Sequence, residues 1–181
     1  MPKKPDNTVS LYWDACVFLS AINANEDRLP IIEAILDNCD AGNVKIYTSY
    51  LSVTEVAFAE SEKKDSLLDD AIEEKINKLW QPPSPINLIE VDPFIAWDAK
   101  TLIREAIKKG WALKPADAIH LTTAKRMEAD EFHTYDIDKL GKFSEIIDYD
   151  IILPKSNNYA LFFTKNKNEQ QTKQREGTDK P

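Results

Sequence analysis

Residues 113–126, LKPADAIHLTTAKR, decide how this chain folds and where its chemistry sits. Pro115 suits the first turn of a helix, where its missing N–H would have no intrahelical partner. Ile119, Leu121, Ala124 and Met127 supply apolar positions, and Lys125 and Arg126 close the run, where positive charge complements the helix dipole. Asp117, Leu121 and Ala124 fall at i, i+4 and i+7, so an acid stands on the inward stripe. Two readings of Asp117 stay open at this point. It is an ordinary first-turn acid favoured by exposed N–H groups, or it faces a site built with other acids.

Upstream, Val9 to Trp13 reads as a strand with Asp14 at its C-terminal end. Ala15 to Ala24 and Leu29 to Asp40 read as helices, and Val44 to Thr48 as a second strand. Ser49 is the expected N-cap of one helix through YLSVTEVAFAESEKK, on which Leu51, Glu55 and Phe58 share a face. Glu55 is too deep in that helix for a capping role. A buried ionised carboxylate without a partner costs several kcal/mol, so Glu55 demands a cation, a hydrogen-bond network or a raised pKa.

The next helix is expected over Asp65 to Trp80, with Asp69, Asp70, Glu73 and Glu74 as a solvated face and Pro82-Pro83-Ser84-Pro85 as its stop. Ile86 to Val91 reads as a third strand. Asp92-Pro93 then starts a helix to Lys109, with Phe94, Trp97, Leu102, Ile103 and Ile107 expected as its core stripe and Gly110 at its end. Beyond residues 113–126, Glu131 to Tyr135 is the expected fourth strand. Phe132, Thr134 and Asp136 alternate onto one face there, and Asp138 follows two residues later. A helical turn over Lys139 to Phe143 and a strand from Asp150 to Leu153, ended by Pro154, complete the pattern. Alternating strands and helices imply an α/β fold with a mainly parallel sheet of about five strands flanked by helices.

The 181 residues accommodate one domain, residues 9–154, followed by a polar extension over 155–181. The extension is expected to be partly disordered, with one apolar clump at Tyr159 to Phe163. Twenty-three basic residues face 31 acidic ones, a net charge of −8. The extension itself is basic, with Lys155, Lys165, Lys167, Lys173, Arg175 and Lys180 against Glu169, Glu176 and Asp179. The body is therefore strongly acidic, which argues against nonspecific nucleic-acid binding through a basic surface. No apolar run reaches the roughly 18 residues of a membrane span, and MPKKPDNT lacks the apolar core of a secretory signal. A cytoplasmic protein without a membrane partner is the expectation. Cys16 and Cys39 have neither metal-ligand spacing nor a disulfide framework.

In parallel sheets ligands bind beyond the C-terminal strand ends, where Asp14 and Asp136 stand. Converging with Glu55 and Asp117, these carboxylates could not all ionise without counter-charge. Hard oxygen donors without Cys or His spacing point to Mg²⁺ or Mn²⁺, and the matching reaction is metal-assisted phosphodiester hydrolysis. His120 and His133 read as packed or hydrogen-bonded residues rather than ligands. Thr134 is either a hydrogen-bonding neighbour of the site or a plain strand residue. Lys139 and Lys142 are the basic side chains nearest in sequence, as surface residues or phosphate contacts. An aspartyl phosphatase needs a second Asp two residues after the first, and Cys16 stands there instead.

DACVFL with Asp14, TEVAFAE with Glu55, ADAIHLTTA with Asp117, FHTYDIDKL with Asp136 and the closing IIDYDIILP together resemble the PIN domain of VapC-type toxins. The resemblance runs from about Val9 to Pro154. It implies an endoribonuclease using Mg²⁺ or Mn²⁺, with Asp14, Glu55, Asp117 and Asp136 as catalytic metal ligands. It also implies an RNA substrate, a small antitoxin partner and a homodimer. Asp138 competes with Asp136 for the fourth position, and alternation favours Asp136. Cys16 departs from the hydroxyl or amide residue common at that position in the family, which would loosen the support of Asp14. The alternative is a PIN-like protein-interaction module with little or no nuclease activity.

Overall fold

The computed structural model describes residues 8–156. Its elements in chain order are β1 (Val9–Trp13), α1 (Ala15–Ile22), α2 (Leu29–Asp40), β2 (Val44–Ser49), α3 (Leu51–Glu55), α4 (Glu60–Asp65) and α5 (Asp70–Trp80). There follow β3 (Ile86–Ile89), α6 (Pro93–Lys108), α7 (Pro115–Arg126), β4 (Glu131–His133), α8 (Ile137–Leu140), a 3₁₀ turn (Gly141–Glu145) and β5 (Asp150–Ile152). The five strands form one sheet in the order β3-β2-β1-β4-β5, and every pairing is parallel. The architecture is α/β, with helices on both faces.

A parallel sheet covered on both sides needs strands buried on both sides, and β1, VSLYW, is buried throughout. Leu11 and Trp13 face one core with Val17, Phe18, Ile32, Ile35 and Ile46, beneath α1 and α2. Tyr12 faces the other with Phe132, Leu121, Ala124, Leu102 and Ala106, beneath α6 and α7. The chain builds β1, β2 and β3 outward in one direction, then returns to place β4 and β5 on the other side of β1. The switch point lies between β1 and β4, where an open α/β sheet leaves a crevice for a ligand.

Three expectations need correction. The helix expected through YLSVTEVAFAESEKK is two helices. Val56 leaves helical geometry at φ −100°, ψ 51°, and Ala59 is extended before α4 begins. Glu62 turns back to accept the Ala59 N–H at 2.8 Å, which fixes the second start. Val56 and Ala59 are buried while Phe58 is exposed, so Phe58 does not flank Glu55 in a core.

The core stripe of α6 is also different. Ile95, Ala99, Leu102 and Ala106 are buried, whereas Phe94, Trp97 and Ile107 are 65%, 63% and 64% exposed. The inward positions contain alanine because α7 lies directly against α6, and small side chains permit close approach of two helices. The large residues lie outside, under cations: Arg126 over Phe94 at 5.3 Å and Lys100 over Trp97 at 4.5 Å. Finally, α5 starts at Asp70 rather than Asp65, after Ser66 turns through φ 51°. The Tyr159–Phe163 clump and the extension from residue 157 lie outside the described residues.

Candidate active site at the β1–β4 switch point

Asp14 follows β1 directly. Its N–H still donates to the His133 carbonyl, so pairing with β4 carries the residue one step past the strand. It then caps α1, with Oδ1 accepting the Ala15 N–H at 2.8 Å. Oδ2 accepts the Thr134 hydroxyl at 2.8 Å, and Asp14 is 8% exposed. Thr134 in turn accepts the Asp136 N–H at 3.0 Å. One hydroxyl thus ties the ends of β1 and β4 together.

Cys16 completes this knot. Its Sγ lies 3.3 Å from Asp14 Oδ2 and 3.2 Å from Thr134 Oγ1, and it accepts the Tyr135 N–H at 3.1 Å. The thiol therefore stands where a hydroxyl or amide was expected and retains contacts to both neighbours. Burial, followed by the Asp14 charge, pushes the Cys16 thiol up to about 12, so it stays protonated and can donate.

Glu55 ends α3 and is partly buried. Its Oε2 lies 2.6 Å from Nε2 of His120, and His120 Nδ1 lies 2.7 Å from the Tyr12 hydroxyl. The Tyr12 oxygen accepts the Ser49 N–H at 2.9 Å. Glu55 thus has a hydrogen-bond network, one of the three solutions its position requires. His120 is a buried, hydrogen-bonded residue, as expected, yet its partner is the acid that most needed one.

Asp117 occupies the first turn of α7 and is half-buried. Its carboxyl is held above the usual carboxylate range by burial first and the Asp14 charge second; Lys114 and His120 oppose this, and Glu55 adds to it. Asp14, Glu55 and Asp117 therefore share one electrostatic neighbourhood. Asp136 is more exposed and precedes α8, with Oδ2 2.9 Å from Lys139 Nζ. Asp138 is exposed on the first turn of α8. His133 lies inside the sheet core, 2.9 Å from Glu131, remote in role from these acids.

The donor set is oxygen-rich and mutually repulsive, chemistry that fits a hard divalent cation. The present spacing is not a coordination shell: among the described residues, no group of three or more His, Cys, Asp or Glu side chains is close enough to hold an ion. Three features were missed in the sequence. The His120–Glu55 pair was signalled by His120 lying at i+3 from Asp117, on the same side of α7. Tyr12 gave no signal, because an inward strand aromatic reads simply as core. Arg28, stacked over the Tyr135 ring at 4.0 Å and donating to Ser20, gave none either.

The PIN domain family model matches residues 11–146. Comparison with curated protein sequences found no match. Among solved structures, a chain of VapBC2 from Rickettsia felis, bound to a promoter DNA fragment, superposes with a TM-score of 0.61 at 18% identity, covering 80% of this chain and 98% of that one. A toxin–antitoxin complex from Klebsiella pneumoniae matches with a TM-score of 0.52 at 17% identity, over 81% and 99%. Mycobacterium tuberculosis VapC20, a toxin that cleaves the sarcin–ricin loop, gives 0.50 at 12% identity, over 75% and 94%. At these identities the structures speak for the fold, and the family model speaks for descent: this chain belongs to the PIN domain family.

Proposed function

We propose that this protein is a divalent-metal-dependent endoribonuclease of the PIN type, the toxin of a toxin–antitoxin pair, acting in the cytoplasm. The observation that supports the proposal is the Asp117 carboxyl, held above the usual carboxylate range by burial and by the charges of Asp14 and Glu55. Asp14, Asp117 and Asp136 would hold Mg²⁺ or Mn²⁺, with Glu55 as fourth ligand or water-orienting base. A cation bound there supplies charge stabilisation and a more acidic water for in-line attack on a phosphodiester. The chain's own contribution is rigidity and positioning. Thr134 and Cys16 orient Asp14, the first turn of α7 presents Asp117, and Lys139 and Arg28 offer cationic contacts for phosphate at the rim. The catalytic unit is residues 9–154, with 155–181 as an accessory polar extension. The VapBC2 and Klebsiella neighbours support a small antitoxin as partner, and a homodimer is the proposed assembly. Among the described residues no helix is long and apolar enough to cross a membrane.

The test is cleavage of an RNA pool by purified protein with Mn²⁺, beside Asp117→Asn and an EDTA control. Mn²⁺-dependent cleavage by the wild type alone is expected; equal cleavage by Asp117→Asn sinks the proposal. The second reading, an interaction module without activity, draws on the Lys139–Asp136 ion pair and the open carboxylate spacing. It predicts no Mn²⁺ binding, whereas the nuclease binds Mn²⁺ with affinity lost in Asp14→Asn.

A further inference from the structure

We infer that His120 is a positioning residue: its ring is held from behind by the buried Tyr12 hydroxyl, and its Nε2–H holds the Glu55 carboxylate in one orientation. The inference rests on the nuclease reading for its purpose, but its geometry stands independently.

The donors and acceptors along the chain can be followed one by one. The Ser49 N–H donates to the Tyr12 oxygen at 2.9 Å, so that oxygen already accepts a bond. A phenol carries one proton at neutral pH. Its hydroxyl lies 2.7 Å from His120 Nδ1, a distance suited to O–H donation to a ring nitrogen. Nε2 lies 2.6 Å from Glu55 Oε2, and a carboxylate only accepts, so Nε2–H is the donor in that bond.

The anchors at the far end cannot easily move. Tyr12 is fully buried and stacks on Phe132 with ring centroids 5.2 Å apart and planes 12° apart. Phe132 stacks on Tyr149, whose hydroxyl donates to the Leu121 carbonyl at 2.6 Å, on α7 itself. His120 is 1% exposed and meets Tyr12 edge-on. Glu55, by contrast, is the last residue of a five-residue helix, next to the break at Val56. An acid at the end of a short helix is thus tied to the buried core of the sheet. Because α7 carries both His120 and Asp117, the same helix places one acid and orients another. This is how hydrogen bonds behind a ligating carboxylate set its direction.

The test uses the full-length chain. Nitrogen-15 NMR of the imidazole in chelator should show Nε2 protonated and hydrogen-bonded. Tyr12→Phe removes the hydroxyl behind the ring and should weaken Mn²⁺ binding in the same direction as His120→Leu. Mn²⁺ titration by calorimetry should show binding weakened about 10-fold or more in His120→Leu, with recovery to within a few-fold in His120→Gln, whose amide can donate from the Nε2 position. In a Glu55→Gln background His120→Leu should add almost nothing, because the effect runs through Glu55. An Nε2 without a proton overturns the inference, as does an additive effect in the double variant. Failure of the wild type to bind Mn²⁺ overturns the nuclease reading, while the NMR result still decides the hydrogen-bond chain. Should His120→Leu fail to fold, His120→Gln and Tyr12→Phe carry the comparison.

Discussion

Asp117 concentrates the site's electrostatic cost in one side chain. Burial and the Asp14 charge raise its folded pKa above the ordinary carboxylate value. The sign follows from linkage: between the ordinary value and the raised one, the folded state binds more protons than the unfolded state, so stability falls as pH rises. Above the raised value the loss is complete. Asp117→Asn should therefore melt higher than wild type at pH 7 in EDTA, by roughly 1–3 °C. The gap should close as pH falls below about 4. A variant that melts lower at pH 7 would show that Asp117 is structural. Adding Mn²⁺ should raise the wild-type midpoint and leave the variant's unchanged. The fourth acid is a separate question at this scale. Asp136 is tied to Asp14 through Thr134, whereas Asp138 lies on the outer turn of α8. Asp136→Asn should lower Mn²⁺-dependent cleavage at least about 10-fold and Asp138→Asn much less; the reverse order reassigns the ligand.

Short elements were the hardest to foresee. The strands and the helices α2 and α7 were legible because buried strands read as apolar runs and amphipathic helices repeat at 3.6 residues. The α3–α4 break was not, because the spacing of Leu51, Glu55 and Phe58 fits one continuous helix and no Gly or Pro marks Val56. What fixes the second start is a local side chain: Glu62 is 6% exposed and its two oxygens accept the N–H groups of Ala59 and Asp69, each at 2.8 Å. The stripe of α6 was misjudged for a related reason. Size picked out Phe94 and Trp97, while helix packing selected Ala99 and Ala106. In the candidate site, Glu55 was visible as an acid without a cheap structural role, whereas Asp117 alone read equally well as a first-turn acid, and Tyr12 was hidden as ordinary core. The Glu62 account is testable. Glu62→Ala leaves two N–H groups without their acceptors and should cost about 1–3 kcal/mol in urea unfolding. Glu62→Gln retains an acceptor oxygen and should cost less. No loss in the alanine variant would mean that the break is set by other contacts.

At the scale of the whole molecule, an acidic protein is proposed to act on a polyanion. The net charge of −8 repels RNA at long range, so engagement must come from cations in the site and from local basic groups. The sequence beyond Ser156 offers Lys165, Lys167, Lys173, Arg175 and Lys180 against three acids. Among the described residues, both hydrophobic clusters are built between Val9 and Ile151. A chain ended after Ser156 should therefore melt within about 2 °C of the full chain. Its Mn²⁺-dependent RNA binding should be weaker at low salt and show a shallower dependence on salt, because fewer cations displace counterions from the phosphates. The two affinities should converge as salt screens the difference. Identical salt slopes would remove the extension from RNA binding. A large drop in melting temperature would instead show that the extension belongs to the folded domain, and the unit at 9–154 would have to be redrawn.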